Sequence, residues 1–177
     1  AVALPVRVLQ LSGPLRSMEF SPDGGHLLAL ADDGQCALWD WQADQVLEWS
    51  QQIGPVTAAE WSPESMQVAL GLKSGAVEIR KVPTGEVVRR LEFGESVRTL
   101  RFSPDGKQLA VGGKTLRLWQ EPLGEWLAWR WDHPAPVFAL RYSADGEHLV
   151  SACLDRQARV FSWSSSETEA SPVPGLF

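Results

Sequence analysis

The chain has 177 residues, 44% of them apolar and 21% charged, with a formal net charge of −6; it is long enough to bury a core, and its acidic balance argues against nucleic-acid binding. No apolar run reaches transmembrane length and no basic-then-apolar start marks a signal peptide, so no membrane partner is expected. Two cysteines, Cys36 and Cys153, are too few for a disulfide framework and read as buried thiols in a reducing compartment, which places the protein in the cytoplasm.

In chain order, residues 6–11 form a first predicted strand, and Ala1 in place of a Met suggests a processed or excised chain. Residues 15–20 form a second strand, ending in an aromatic residue and the turn Phe20-Ser21-Pro22-Asp23-Gly24. Pro presets φ, Asp bonds its own backbone and Gly admits positive φ. Residues 26–31 are almost continuously apolar, as in a strand buried on both faces. Asp32-Asp33-Gly34 is a hairpin signal. Residues 36–40 and 45–49 complete a set of four strands.

The same order then recurs. Residues 56–61, 67–71, 76–80 and 86–92 form a second set. Residues 97–102, 108–112, 115–119 and 125–131 form a third. Residues 137–142, 148–152 and 158–161 begin a fourth, which lacks a clear last strand. The polar turns recur as Trp61-Ser62-Pro63-Glu64-Ser65, Phe102-Ser103-Pro104-Asp105-Gly106 and Tyr142-Ser143-Ala144-Asp145-Gly146. No segment carries a helical apolar period, so the chain is expected to be all-β. A period of about forty residues marks a repeat architecture.

With Trp39-Asp40 closing the third strand of the first set, residues 6–163 resemble four WD repeats. The equivalent pairs are Arg80-Lys81, Trp119-Gln120 and Phe161-Ser162, so the polar turns match the family better than the Trp-Asp pairs do. The resemblance implies a β-propeller of four-stranded antiparallel blades. Residues 1–163 form the propeller, with blades at about 15–50, 56–92, 97–131 and 136–163. Strand 6–11 is expected as the closing outer strand of the last blade, pairing an otherwise exposed edge. Three closures stay open: a four-bladed ring, half of an eight-bladed ring built by two chains, and part of a larger propeller. Residues 164–177 are polar and poor in β-formers, and read as a disordered tail.

Catalytic chemistry is not expected. No His/Cys cluster has zinc spacing, so neither metal nor cofactor is predicted. Gly112-Gly113-Lys114-Thr115 ends like a phosphate-binding loop but precedes a strand, and reads as a tight hairpin. The resemblance makes His133, Ser151 and Asp155 a structural hydrogen-bond set rather than a catalytic triad. It also implies peptide binding at the channel mouth, by the residue after the first apolar position of each inner strand: Arg16, Thr57, Arg98 and Phe138. Two arginines and an aromatic ring suit an acidic peptide. Trp126, Trp129 and Trp131 share one outer strand and offer an aromatic contact for a partner, with edge packing as the plainer reading. Residues 73–117 carry ten Lys/Arg against five Asp/Glu, a basic sector in an otherwise acidic chain. The expected function is a non-catalytic scaffold module that binds a protein or peptide. Homo-oligomeric assembly is the alternative, and an enzyme is the least favoured reading.

Overall fold

A computed structural model of the chain describes residues 7–121 and 124–162. The expected tail at 164–177 lies outside them. Among the described residues, fifteen strands fold into four antiparallel sheets arranged as the blades of a β-propeller. Blade one contains β1 (Leu15–Phe20), β2 (His26–Ala31), β3 (Cys36–Asp40) and β4 (Gln45–Val46). Blade two contains β5 (Val56–Trp61), β6 (Gln67–Leu72), β7 (Ala76–Lys81) and β8 (Val87–Glu92). Blade three contains β9 (Thr99–Phe102), β10 (Gln108–Gly112), β11 (Thr115–Gln120) and β12 (Glu125–Asp132). Blade four contains β13 (Val137–Tyr142), β14 (His148–Cys153) and β15 (Ala158–Ser162).

The polar turns join the first and second strands of each blade by one repeated device. The Ser21 hydroxyl donates to Asp23 and accepts from the main-chain N–H of His26, while Asp23 also accepts from Gly25 N–H. Ser103 with Asp105 and Ser143 with Asp145 repeat it. These bonds, led by the serine hydroxyl, hold the three carboxyls below the usual aspartate range. Gly24, Gly106 and Gly146 supply the positive φ that ends each turn. Blade two puts Ser65 there at φ 61°, and its hydroxyl accepts from Asp23 N–H of blade one.

Three apolar clusters hold the blades together. Leu28 and Leu38 of blade one pack with Val68 and Leu70 of blade two. Val77 and Ile79 of blade two meet Leu100 and Trp119 of blade three. Leu116 and Leu118 of blade three meet Leu140 and Leu149 of blade four. Each fully buried side chain of this kind contributes about 1.5–3 kcal/mol. The middle strands read as apolar runs because both their faces enter such clusters. Among the described residues no apolar cluster joins blade four to blade one. Leu15, Met18 and Phe20 of β1 stay 49%, 66% and 57% exposed.

Two expectations need correction. Of strand 6–11, expected as the outer strand of blade four, residue 6 lies outside the described residues, residues 7–11 belong to no sheet, and among the described residues blade four has three strands. That segment lies on blade one instead. Arg7 pairs with Asp44 at 2.6 Å, and Ser12 bonds Asp33 and Gln35. The fourth strand of blade one, expected at 45–49, stops at Val46 and gives way to a one-turn helix, α1 (Glu48–Gln51). Ser50 explains the switch. Its buried hydroxyl accepts the N–H of Leu38, a bond that a longer fourth strand would have made, and donates to Leu47 C=O. The turn carries Trp49 onto blade two, where its indole N–H donates to Pro83 C=O at 2.7 Å.

Candidate functional site

The residues expected at the channel mouth occupy equivalent places. In blades one, two and four the inner strand skips one residue in its pairing, between Leu15 and Ser17, Val56 and Ala58, and Val137 and Ala139. The residues skipped are Arg16, Thr57 and Phe138. Such a bulge leaves the extra residue unpaired and re-aims its side chain. Arg98 sits one residue before β9, where its N–H donates to Gly112 C=O. All four lie at the end of the blades that carries the hairpins between second and third strands. Arg16, Arg98 and Phe138 are exposed and Thr57 is half-buried. Neither arginine forms an ion pair among the described residues.

The other end of the channel holds a set that the sequence reading missed. The residue just before the aromatic in each inner strand is charged: Glu19, Glu60, Arg101 and Arg141. All four line one cavity of about 260 Å³. It adjoins a space of about 300 Å³ that reaches the polar turns and is walled by Trp61, Phe102 and Tyr142. Glu60 is 7% exposed and pairs with Arg101 at 2.6 Å. Burial pushes the Glu60 carboxyl up, to about 8; Arg101 pulls it down and Glu19 adds repulsion. Burial is the largest of these effects, so the carboxyl stays raised despite the ion pair. Arg101 Nε is buried without a hydrogen-bond partner. The signal was present in the sequence, as one charged residue per repeat at a fixed offset from the turn.

His133 Nε2 lies 3.1 Å from the Ser151 hydroxyl, both buried. Desolvation lowers the His133 pKa, which favours the neutral ring. Asp155 does not complete that chain. Arg159 takes its carboxylate at 2.5 Å, and Gln157 N–H donates to it, so the expected three-member set contains two bonded members. Arg159 in turn holds the Asp155 carboxyl down at about 2. Trp126 and Trp131 of the outer strand are engaged in packing. Trp126 contacts Phe93 and lies under Arg117, whereas Trp131 stacks at 4.6 Å on Phe161. The two therefore face different inter-blade clusters. The Trp129 side chain lies outside the described part. The Gly112–Thr115 segment is a hairpin closed by Gly113 N–H on Thr115 C=O and capped by the Glu95 carboxylate. Among the described residues no group of His, Cys, Asp and Glu could hold a metal ion, and no helix is long and apolar enough to cross a membrane.

The sequence profile described as "WD domain, G-beta repeat" matches residues 5–40, 85–120 and 127–162. The second match runs from the outer strand of blade two to the third strand of blade three, and the third repeats that frame one blade on. The stretch between the first and second matches contains the shortened β4, helix α1 and the Arg80-Lys81 pair. The chain is 34% identical over 116 residues to eukaryotic translation initiation factor 3 subunit I of Emericella nidulans, covering 63% of this chain and 34% of that protein. The namesake from Neosartorya fischeri is 29% identical over 170 residues, 90% of this chain and 47% of the relative. Human angio-associated migratory cell protein is 28% identical over 143 residues, 77% of this chain and 32% of the relative. The chain thus spans about a third to a half of the length of these curated relatives.

Proposed function

The chain belongs to the WD-repeat family, and from that premise we propose that it is a non-catalytic scaffold module that binds an acidic peptide or protein segment at the channel mouth. The observation that carries this reading is the repeated placement of Arg16, Thr57, Arg98 and Phe138, one per blade, at the start of each inner strand. Rigid sheets hold these side chains in place before a partner arrives, so little order is lost on docking. Arg98 is the leading contact, because it is exposed, free of an internal ion pair, and set in the basic stretch 73–117. Relatives that carry the name of an initiation-factor subunit agree with a role inside a protein assembly. Two buried free thiols, Cys36 and Cys153, suit a reducing compartment, and the module is assigned to the cytoplasm. The test is a calorimetric titration with peptides rich in Asp, Glu and Phe. Arg98→Glu and Arg16→Glu should each weaken binding about tenfold or more, consistent with loss of a charge-assisted hydrogen bond. Unchanged affinity in both variants removes the site.

One observation favours assembly as a second reading. Among the described residues the edge of β15 has no partner strand, and Leu15, Met18 and Phe20 of β1 lie exposed. Two chains meeting through these terminal blades would form a larger ring. Light scattering decides it: a monomer mass at all concentrations eliminates the two-chain ring.

A further inference from the structure

The charged set at the turn end of the channel is a site in its own right. Its four members come from equivalent positions in four blades, yet their signs are not mixed around the channel. Blades one and two contribute the carboxylates Glu19 and Glu60, and blades three and four contribute the guanidinium groups of Arg101 and Arg141. The cavity they line therefore has an acidic wall and a basic wall. Across the middle, Arg101 Nη1 donates to the Glu60 carboxyl at 2.6 Å, so the inner pair is engaged with itself. That leaves the outer pair. Glu19 and Arg141 are both exposed and form no ion pair among the described residues. Arg141 gives one donor, Nη1, to the main-chain oxygen of Leu140. On the same wall, Arg101 Nε is buried and has no hydrogen-bond partner.

We propose that this end of the channel binds a peptide segment carrying an acidic and a basic side chain close together, the acid on Arg141 and the base on Glu19. An occupant of one sign is attracted to one wall and repelled by the other. A purely acidic segment meets Glu19, and a nucleic-acid phosphate does the same. A bipolar segment gains a charge-assisted hydrogen bond on each side. A cleft with low-dielectric walls focuses both fields. Just outside the charges, the buried Trp61 and Phe102 and the half-buried Tyr142 back the adjoining space, so the exposed charges supply most of the contact. The site is independent of the channel mouth described above. It lies at the opposite end of the blades and shares no residue with Arg16, Thr57, Arg98 or Phe138.

A phage-displayed random heptapeptide library, panned on the immobilised chain, tests the assignment. The expected enrichment is for Lys or Arg within a few positions of Asp or Glu. The best synthetic peptide is then titrated against four proteins. Arg141→Glu and Glu19→Arg should each weaken it at least tenfold, and Arg98→Glu should leave it unchanged. The double exchange, Glu19→Arg with Arg141→Glu, should bind a peptide with the two charges exchanged. Both side chains are exposed, so the variants keep the fold, and an unchanged urea unfolding midpoint checks this. A library that enriches nothing, or only peptides of one sign, overturns the proposal. Binding that survives Arg141→Glu overturns it too. Binding lost with Arg98→Glu instead assigns the peptide to the channel mouth and equally overturns this site, while leaving the first reading standing.

Discussion

Glu60→Gln is expected to stabilise the protein at mildly alkaline pH, although it removes one half of a buried ion pair. Taking one partner from such a pair ordinarily costs about 3–5 kcal/mol, because the other charge is stranded. Here the two partners differ in burial. Glu60 is 7% exposed, whereas the Arg101 side chain keeps 22% of its surface in contact with solvent. The carboxyl titrates at about 8 in the folded chain, against an ordinary value of 4.5. A carboxyl whose folded pKa is raised binds its proton more tightly in the native state. Its contribution is therefore favourable at low pH and is lost as pH rises from about 4.5 to about 8. Each unit is worth about 1.4 kcal/mol, so between about pH 5.5 and about pH 8 the parent should lose roughly 3 kcal/mol through this group. Glutamine has the shape of the protonated acid and does not titrate. The variant should match the parent below about pH 4.5, and its advantage should grow by roughly 3 kcal/mol between about pH 5.5 and about pH 8. Urea unfolding followed by tryptophan fluorescence at the two pH values measures both differences. A glutamine variant less stable than the parent near pH 8 would mean that the pair with Arg101 outweighs the burial of Glu60, and the argument fails.

Gly85→Ala should cost about 2–5 kcal/mol. Its new Cβ would stand 2.4 Å from the Trp49 ring, and the residue holds φ at 76°, so overpacking and left-handed strain add. Urea midpoints give the number, and a loss under about 1 kcal/mol would show that Trp49 moves freely. Leu140→Ala should cost about 2–5 kcal/mol because the residue is fully enclosed between blades three and four. Phe20→Ala should cost no more than about 1 kcal/mol, since its ring is mostly exposed and touches Trp41 edge-on. Equal losses at the two sites would contradict the burial described for blade one. Asp155→Asn should lower the thermal midpoint at neutral pH and not at strongly acidic pH. A carboxyl held at about 2 by Arg159 contributes above its ordinary pKa of 3.8 and loses that contribution as pH falls towards 2. A difference that persists at about pH 2 would exclude the ion pair as its source.

Where structure followed local chemistry, it was legible in the chain. The polar turns fixed the strand order because Ser, Asp and Gly close their bonds within five residues, without help from the rest of the molecule. The middle strands were readable because burial on both faces leaves a run of apolar residues. What depended on distant partners was not readable. Residues 45–49 alternate well enough for a strand, but Ser50 captures the Leu38 N–H and ends it. Asp155 stands where a partner for His133 belongs, but Arg159 is closer and carries a full charge. Three tryptophans on one strand suggested a surface for a partner. The packing of Trp126 and Trp131 into two different clusters depends on blades before and after their own.

The charged channel set illustrates the same division from the other side. Each of Glu19, Glu60, Arg101 and Arg141 is unremarked in its own repeat, a charge on a short strand. Only their alignment at one register position gives them meaning, and the turns that fix that register were already plain. The residue before the aromatic faces the channel in every blade, so any chemistry placed there is repeated around one axis. A repeat protein can then vary a single position per unit and write a pattern of charge inside a fixed frame. In this chain the pattern runs acid, acid, base, base. Its central members, Glu60 and Arg101, bond to each other, and burial raises the cost of charging Glu60. Its outer members, Glu19 and Arg141, keep their charges available on opposite walls of the cavity.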